Sequence, residues 1–138
     1  MEMGIRMILE RRPCKLRILR ENFPSLPTTA TNLSCIRYAF DVAHYSGQPF
    51  LINRRLFAMA DTGIPDGIKC DIHGNVYSGC GDGLNVWSPG GVLLGRIEIE
   101  GGVSNFCFGR DGEVFLLNEH KLWRAKLADR SKGALLRI

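Results

Sequence analysis

The segment GIKCDIHGNVYSGCGDGLNVW, Gly67 to Trp87, is answered 38 residues later by NFCFGRDGEVFLLNEHKLWRA. Gly74 falls over Gly112, Val76 over Val114, Tyr77 over Phe115 and Leu84 over Leu122. Each copy holds apolar runs of strand length, cut by Asp and Gly, with no sustained helical period. The Asp/Gly pairs supply tight turns, and the alternating residues that follow enter a sheet. A period of 38 is close to the ~40–45 residues of a β-propeller blade. An earlier run, IRYAFDV, resembles the LNVWSPG and KLWRAKL positions, where a later strand of a blade would lie. The spacing therefore predicts two fairly full units and a partial one.

Short runs with the same texture fill the chain from Ile36 onward. They are Ile36–Val42, Phe50–Ile52, Leu56–Met59, Ile68–Cys70, Asn75–Ser78, Leu84–Trp87, Leu93–Ile99, Phe106–Phe108, Glu113–Leu117 and Lys121–Leu127. The expected fold is all-β: about two to two and a half blades of a β-propeller over residues 36–130. A blade cannot bury both faces alone, and propellers close with ~4–8 of them. Two outcomes follow: the chain associates with copies of itself through its open faces, or it is one arc of a larger ring.

Residues 1–33 read as a separate basic tail, disordered or partly helical. One helical turn is expected around Ile5, Ile8 and Leu9 before Pro13, and another over Leu16–Asn22. The stretch PSLPTTATN then reads as a linker. Of the net charge of +4, the tail holds six Arg/Lys against three Glu, with Arg11, Arg12, Lys15, Arg17 and Arg20 clustered. The remainder is close to neutral and carries no nucleic-acid footprint. No stretch approaches the ~18 apolar residues of a membrane span, and no signal peptide is visible.

The five cysteines, Cys14, Cys35, Cys70, Cys80 and Cys107, are odd in number and lack C-x-x-C spacing, so neither a disulfide framework nor a zinc knuckle is suggested. Cys70, Cys80 and Cys107 lie among strand residues and are expected to be buried, reduced thiols, consistent with a cytoplasmic location. Asp71, Asp82 and Asp111 flank glycines and read as turn formers. His44, His73 and His120 read as scattered loop residues, with no triad or metal pair among them. Trp87 and Trp123 read as packing between blades, and Asn118 with Glu119 as a hairpin turn. GDG at 81–83 and PGG at 89–91 have no following Lys-Ser/Thr and open no helix, so neither is a phosphate loop.

The stretch P-D-G-I-x-x-D-x-x-G-N-V-Y from Pro65 is followed by the LNVWSPGGVLLGRI segment and then by N-x-x-F-G. Over about Tyr38 to Leu127 these motifs resemble the C-terminal part of the senescence marker protein, gluconolactonase and luciferin-regenerating enzyme family, above all its fungal members. The resemblance implies a six-bladed β-propeller that hydrolyses sugar lactones or related cyclic esters. It also implies one divalent cation in the central channel, calcium first, with zinc or manganese as exchangeable alternatives. Asp66 stands where the family has a metal ligand and would double as the base that activates water. Pro65 fixes its own φ and Gly67 lets the strand leave at a sharp angle, which would aim Asp66 into the channel. The family's Glu and middle-blade Asn ligands come from blades preceding Arg37, and residues 1–33 do not resemble them, so the chain reads as an incomplete, inactive member, as a mis-spliced or truncated gene model would give.

Asn105 stands where Gly67 stands in the preceding copy; a one-residue gap would set it over Asp66, lining the channel and touching substrate. Its alternative role is a strand-entry residue bonding its own backbone. Against the lactonase reading stand a non-catalytic remnant and a β-sheet interaction module that recruits a partner by edge pairing.

Overall fold

The computed structural model describes residues 16–19, 36–128 and 131–135. The expectations for the basic cluster before Lys15, the first helical turn, the linker, Cys14 and Cys35 fall outside the described residues.

Among the described residues the molecule is all-β, without a helix. Ten strands form three antiparallel sheets. The first joins β1 (Leu16–Leu19), β2 (Ile36–Tyr45) and β3 (Gln48–Met59). The second runs β4 (Ile68–Cys70), β5 (Val76–Cys80), β6 (Gly83–Trp87) and β7 (Leu93–Glu98). The third joins β8 (Asn105–Phe108), β9 (Glu113–Leu117) and β10 (Leu122–Lys126).

The 38-residue repeat is exact at the level of strand register. In the second sheet Ile68 pairs with Ser78 and Cys70 with Val76; in the third, Phe106 pairs with Leu116 and Phe108 with Val114. Likewise Val76 faces Trp87 and Gly79 faces Leu84, as Val114 faces Ala125 and Leu117 faces Leu122. The turns follow the same chemistry. Asp111 and Gly112 both have positive φ, 54° and 80°, the primed geometry that an Asp-Gly pair favours. Asp71 closes the corresponding turn by accepting bonds from the His73 and Asn75 N–H groups, each at 2.9 Å, and from Asn75 Nδ2 at 2.8 Å. Its role as a turn former holds.

Because side chains alternate along a strand, each sheet has two faces, and both faces of the second sheet are covered. One face, with Val76, Cys80 and Trp87, packs on Ala39, Phe57, Ala58 and Ala60 of the first sheet and the residue after it. The other, with Tyr77 and Leu84 and aided by Val86 and Ile97, packs on Phe106, Phe108, Val114 and Leu116 of the third. Tyr77 and Phe108 meet edge to face at 5.0 Å between ring centroids. Strand β5 is consequently buried at every position.

Several expectations are corrected here. The helical turn over Leu16–Asn22 is absent at Leu16–Leu19, which pair with β2 as a strand. The unpaired edge of β2 offers a row of N–H and C=O groups, and a four-residue segment satisfies them better in a ladder than in a single helical turn. The runs at Ile36–Val42, Phe50–Ile52 and Leu56–Met59 are not separate strands. They form one long hairpin that turns at Ser46 and Gly47 (φ 48° and 78°) and absorbs irregularity as register shifts. His44 therefore lies in β2, not in a loop. Cys107 is exposed and Cys70 half-buried; of the three thiols expected inside, only Cys80 is buried. Burial pushes its pKa up to about 11. Trp87 packs between sheets as expected, whereas Trp123 is 41% exposed under Lys121, 5.6 Å from its ring centroid. Asn118 does more than close a hairpin. Its Nδ2 donates to the carbonyls of Glu100 and Gly102, tying the loop between the second and third sheets to β9's end.

Two outcomes are expected. Leu116→Ala should lower stability by about 2–5 kcal/mol in urea unfolding, while Val92→Ala on an exposed turn should stay within about 0.5 kcal/mol. Tyr77 has its phenol pKa raised to about 12, by burial first and the Asp71 carboxylate second. Because the folded value lies above the unfolded one, its contribution to stability is complete below about pH 10 and is lost as pH rises through about 12. Tyr77→Phe should flatten the stability curve in that window, read by alkaline unfolding.

Candidate functional site

Asp66 occupies the corner at which all three sheets meet. Pro65 before it is fully buried, while Asp66 is exposed. The Asp66 N–H donates to the Gly79 carbonyl at 2.8 Å, and the Gly79 N–H returns a bond to the Gly67 carbonyl at 2.9 Å. The Gly67 N–H donates to the Ser104 carbonyl, 2.9 Å away, at the entry to the third sheet. From the first sheet, Arg37 Nη2 donates to the Asp66 carbonyl at 2.8 Å and to Ser78 Oγ at 2.9 Å. The corner is therefore held by its backbone from every side.

Arg37 is the element of this site that the sequence reading missed. It is 2% exposed. The first pairs of the β2–β3 ladder, Ile36 with Met59 and Arg37 with Ala58, correspond to Gly83 with Glu98 and Leu84 with Ile97 of β6–β7. Arg37 thus stands at the position that the next two sheets fill with Leu84 and Leu122. A guanidinium in place of a core leucine is costly unless its donors are used. Here one nitrogen serves both the Asp66 carbonyl and Ser78. A charged residue breaking an apolar repeat was the one available signal.

Gly67 is also explained differently. A Cβ built on it would lie 2.6 Å from Asn105 Oδ1 and 3.0 Å from Asn105 Cα, so the close approach of the next sheet requires glycine there, not a left-handed φ. Gly79 is bare for the same reason, with the Val103 carbonyl 2.2 Å from its would-be Cβ. The ungapped register equates Asn105 with Gly67 and Ser104 with Asp66. Asn105 nevertheless stands beside the corner, exposed, with its Oδ1 accepting from the Phe106 N–H at 2.8 Å and from Lys69 Nζ at 3.5 Å. The first of these is the strand-entry bond. The second brings an ammonium to the site, and Lys69 also lies over the Phe106 ring, 5.3 Å from its centroid.

A calcium ion takes six to eight oxygen ligands. Among the described residues the corner supplies one carboxylate, and the Asn105 oxygen already accepts from a backbone amide. No group of three or more His, Cys, Asp or Glu able to hold a metal occurs among them. These residues do not by themselves fit a calcium site. They do present an exposed carboxylate, an amide and an ammonium around one rigid turn.

The hold of Arg37 on the corner is checked by a double-mutant cycle. Arg37→Met keeps length and loses the donors, which should cost about 1–3 kcal/mol. Combined with Ser78→Ala, the loss should fall short of the sum of the two single substitutions in urea unfolding.

No family model matches the chain. A lactonohydrolase of Aspergillus oryzae is 31% identical over 113 residues, which is 80% of this chain and 24% of that protein. A gluconolactonase of Zymomonas mobilis is 32% identical over 76 residues, 53% of this chain and 21% of its own. The chain thus spans about a quarter of the length of the curated relatives it matches. Among solved structures, a gluconolactonase from Xanthomonas campestris superposes with a TM-score of 0.54 at 30% identity, over 65% of this chain and 33% of its own. A second, also named as a gluconolactonase, shares the fold with a TM-score of 0.57 at 23% identity, over 65% of this chain and 31% of its own.

Proposed function

Since the chain belongs to the senescence marker protein/gluconolactonase-like family, we propose that it serves the hydrolysis of sugar lactones, with Asp66 as the proton-accepting group. The observation that carries this reading is the Asp66 corner: an exposed carboxylate on a backbone bonded to Gly79 and to buried Arg37, each at 2.8 Å. The fold reading goes with it. The three stacked sheets are consecutive blades of a six-bladed β-propeller, and Asp66 faces its channel.

The chemistry is that of ester hydrolysis. Water attacks the lactone carbonyl carbon while the Asp66 carboxylate takes one of its protons. The carbonyl oxygen becomes an oxyanion, for which the Lys69 ammonium and donors near Asn105 offer stabilisation. The ring C–O bond then breaks, the ring oxygen leaves with the proton held on Asp66, and the product is an open hydroxy acid. The cation implied by the resemblance, calcium before zinc or manganese, would polarise the same carbonyl. The described residues do not complete its site, so no step is assigned to it.

A second reading has an observation of its own. Leu117 and Leu122 lie exposed together on the outer face of the third sheet, as a non-catalytic sheet module that binds a partner would have them.

The test is acid release from a six-membered aldonolactone by the full chain, with calcium, zinc or manganese supplied in turn. Turnover above the buffer rate is expected, and Asp66→Asn should lower kcat by at least about a hundredfold with the fold intact by circular dichroism. An Asp66→Asn protein as active as the parent overturns the role given to Asp66, and a parent inert with all three ions overturns the lactonase reading in favour of the module.

A further inference from the structure

The two sheet interfaces inside the chain are built alike. In each, the face carrying the residue before a tight turn and its cross-strand neighbours packs on the opposite face of the next sheet. Ala39 and Ala58 pack on Val76 and Trp87; Tyr77, Leu84 and Val86 pack on Phe106, Val114 and Leu116. Arg37 occupies the Leu84 position at the first interface and reaches Ser78 across it. One rule of packing therefore operates twice, always in the same direction.

The third sheet presents the covering face again, uncovered. By the register of the repeat, Tyr77, Gly79 and Leu84 become Phe115, Leu117 and Leu122. Leu84 is 0% exposed, whereas Leu122 is 66% and Leu117 44% exposed. Cys107 opens to solvent on this same face, opposite Phe115. At the other end, the first sheet presents the receiving face. Tyr38 and Phe40 alternate with the inward Arg37 and Ala39, and Leu56 lies opposite Tyr38, 58% exposed. Phe40 stands in the place of Trp87, the aromatic residue that the internal interface buries.

We propose that these two faces pack on each other between copies, head to tail, so that two chains close one ring of stacked sheets. The complementarity is that of the repeat itself: the donor and acceptor faces already fit each other twice within a chain. The three sheets among the described residues of each copy make six in a dimer, within the ~4–8 blades that closed propellers use, whereas those of three copies would exceed that range. A heterologous contact of this kind closes into a ring when its rotation permits and otherwise grows into a filament.

Size-exclusion chromatography with light scattering on the 138-residue chain should give twice the 15.4 kDa of one copy. Leu122→Glu and Leu117→Glu, at sites exposed in a single copy, should shift the mass to that of one chain with unchanged circular dichroism. Leu56→Glu, at an exposed site, and separately Tyr38→Glu, at its half-buried cross-strand neighbour under Arg54, should do likewise. Peptide mapping after maleimide treatment should show Cys107 labelled at least tenfold faster in Leu122→Glu than in the parent. A monomeric parent overturns the proposal, whether Cys107 is accessible or is shielded by the chain's own residues. So does dissociation by Leu122→Glu with the first-sheet variants still dimeric, which would mean that the third sheet pairs with its own kind. A filament or a larger oligomer overturns closure by two copies.

Discussion

A β-sheet that is apolar on both faces cannot stand alone in water, and the middle sheet of this molecule is of that kind. Val76, Leu84, Val114 and Leu116 are shielded because a neighbouring sheet lies within contact on the relevant side. Burying a side chain of this size stabilises the fold by about 1.5–3 kcal/mol relative to exposure. The stacking of sheet upon sheet, more than any single hydrogen bond, therefore fixes where the loops between them can go. The Asp66 corner is one of those loops. Its position follows from the need to pass the chain from the edge strand β3 of one sheet to the edge strand β4 of the next.

The repeat is also informative where it is broken. Leucine stands at the Arg37 position in both other sheets, and the third sheet has Asn105 and Leu117 where the second has Gly67 and Gly79. Arg37 lies at the seam of the first and second sheets, and Gly67 and Gly79 at the seam of the second sheet with the entry to the third. The two glycines let the loop through Val103–Asn105 approach to hydrogen-bonding distance, closing the Gly67–Ser104 and Cys80–Val103 bonds. Arg37 then packs on the other side and donates a hydrogen bond to the Asp66 carbonyl. Departures from a structural repeat cost packing energy. Here they flank the Asp66 corner on its two sides.

Much of this was legible from residue order because the relevant signals are local. The hairpin turns at Asp71 and Asp111, the strand positions from Ile68 to Lys126, and the pairing of Val76 with Val114 as equivalents all rest on period and turn chemistry. The failures are non-local. Strand β1 forms because β2 has an open edge, which nothing in LRIL announces. The exposure of Cys107 depends on the absence of a covering sheet among the described residues, although its neighbours alternate exactly as those of a buried strand do. Arg37 looks like an exposed strand residue until the ladder shows which face it takes. The bond from the Phe106 N–H to Asn105 is local, but the contact of Asn105 with Gly67 and with Lys69 is a property of two sheets and not of one.

The same packing logic separates the site from the assembly. The bonds that Gly79, Ser104 and Arg37 make to the Asp66–Gly67 corner come from within one copy. The faces proposed to join two copies lie on the far sides of the first and third sheets, beyond the seam. A charge placed at Leu122 disturbs a surface whose removal from water matters only to association, because within a single chain that side chain is already solvated. Its effect on the corner has to pass through the third sheet as a rigid body, and the buried cluster of Phe106, Phe108, Val114 and Leu116 resists that movement. Loss of the dimer and loss of the Asp66 geometry are thus independent events in this fold, and a monomeric Leu122→Glu chain would retain the corner that the hydrolytic reading requires.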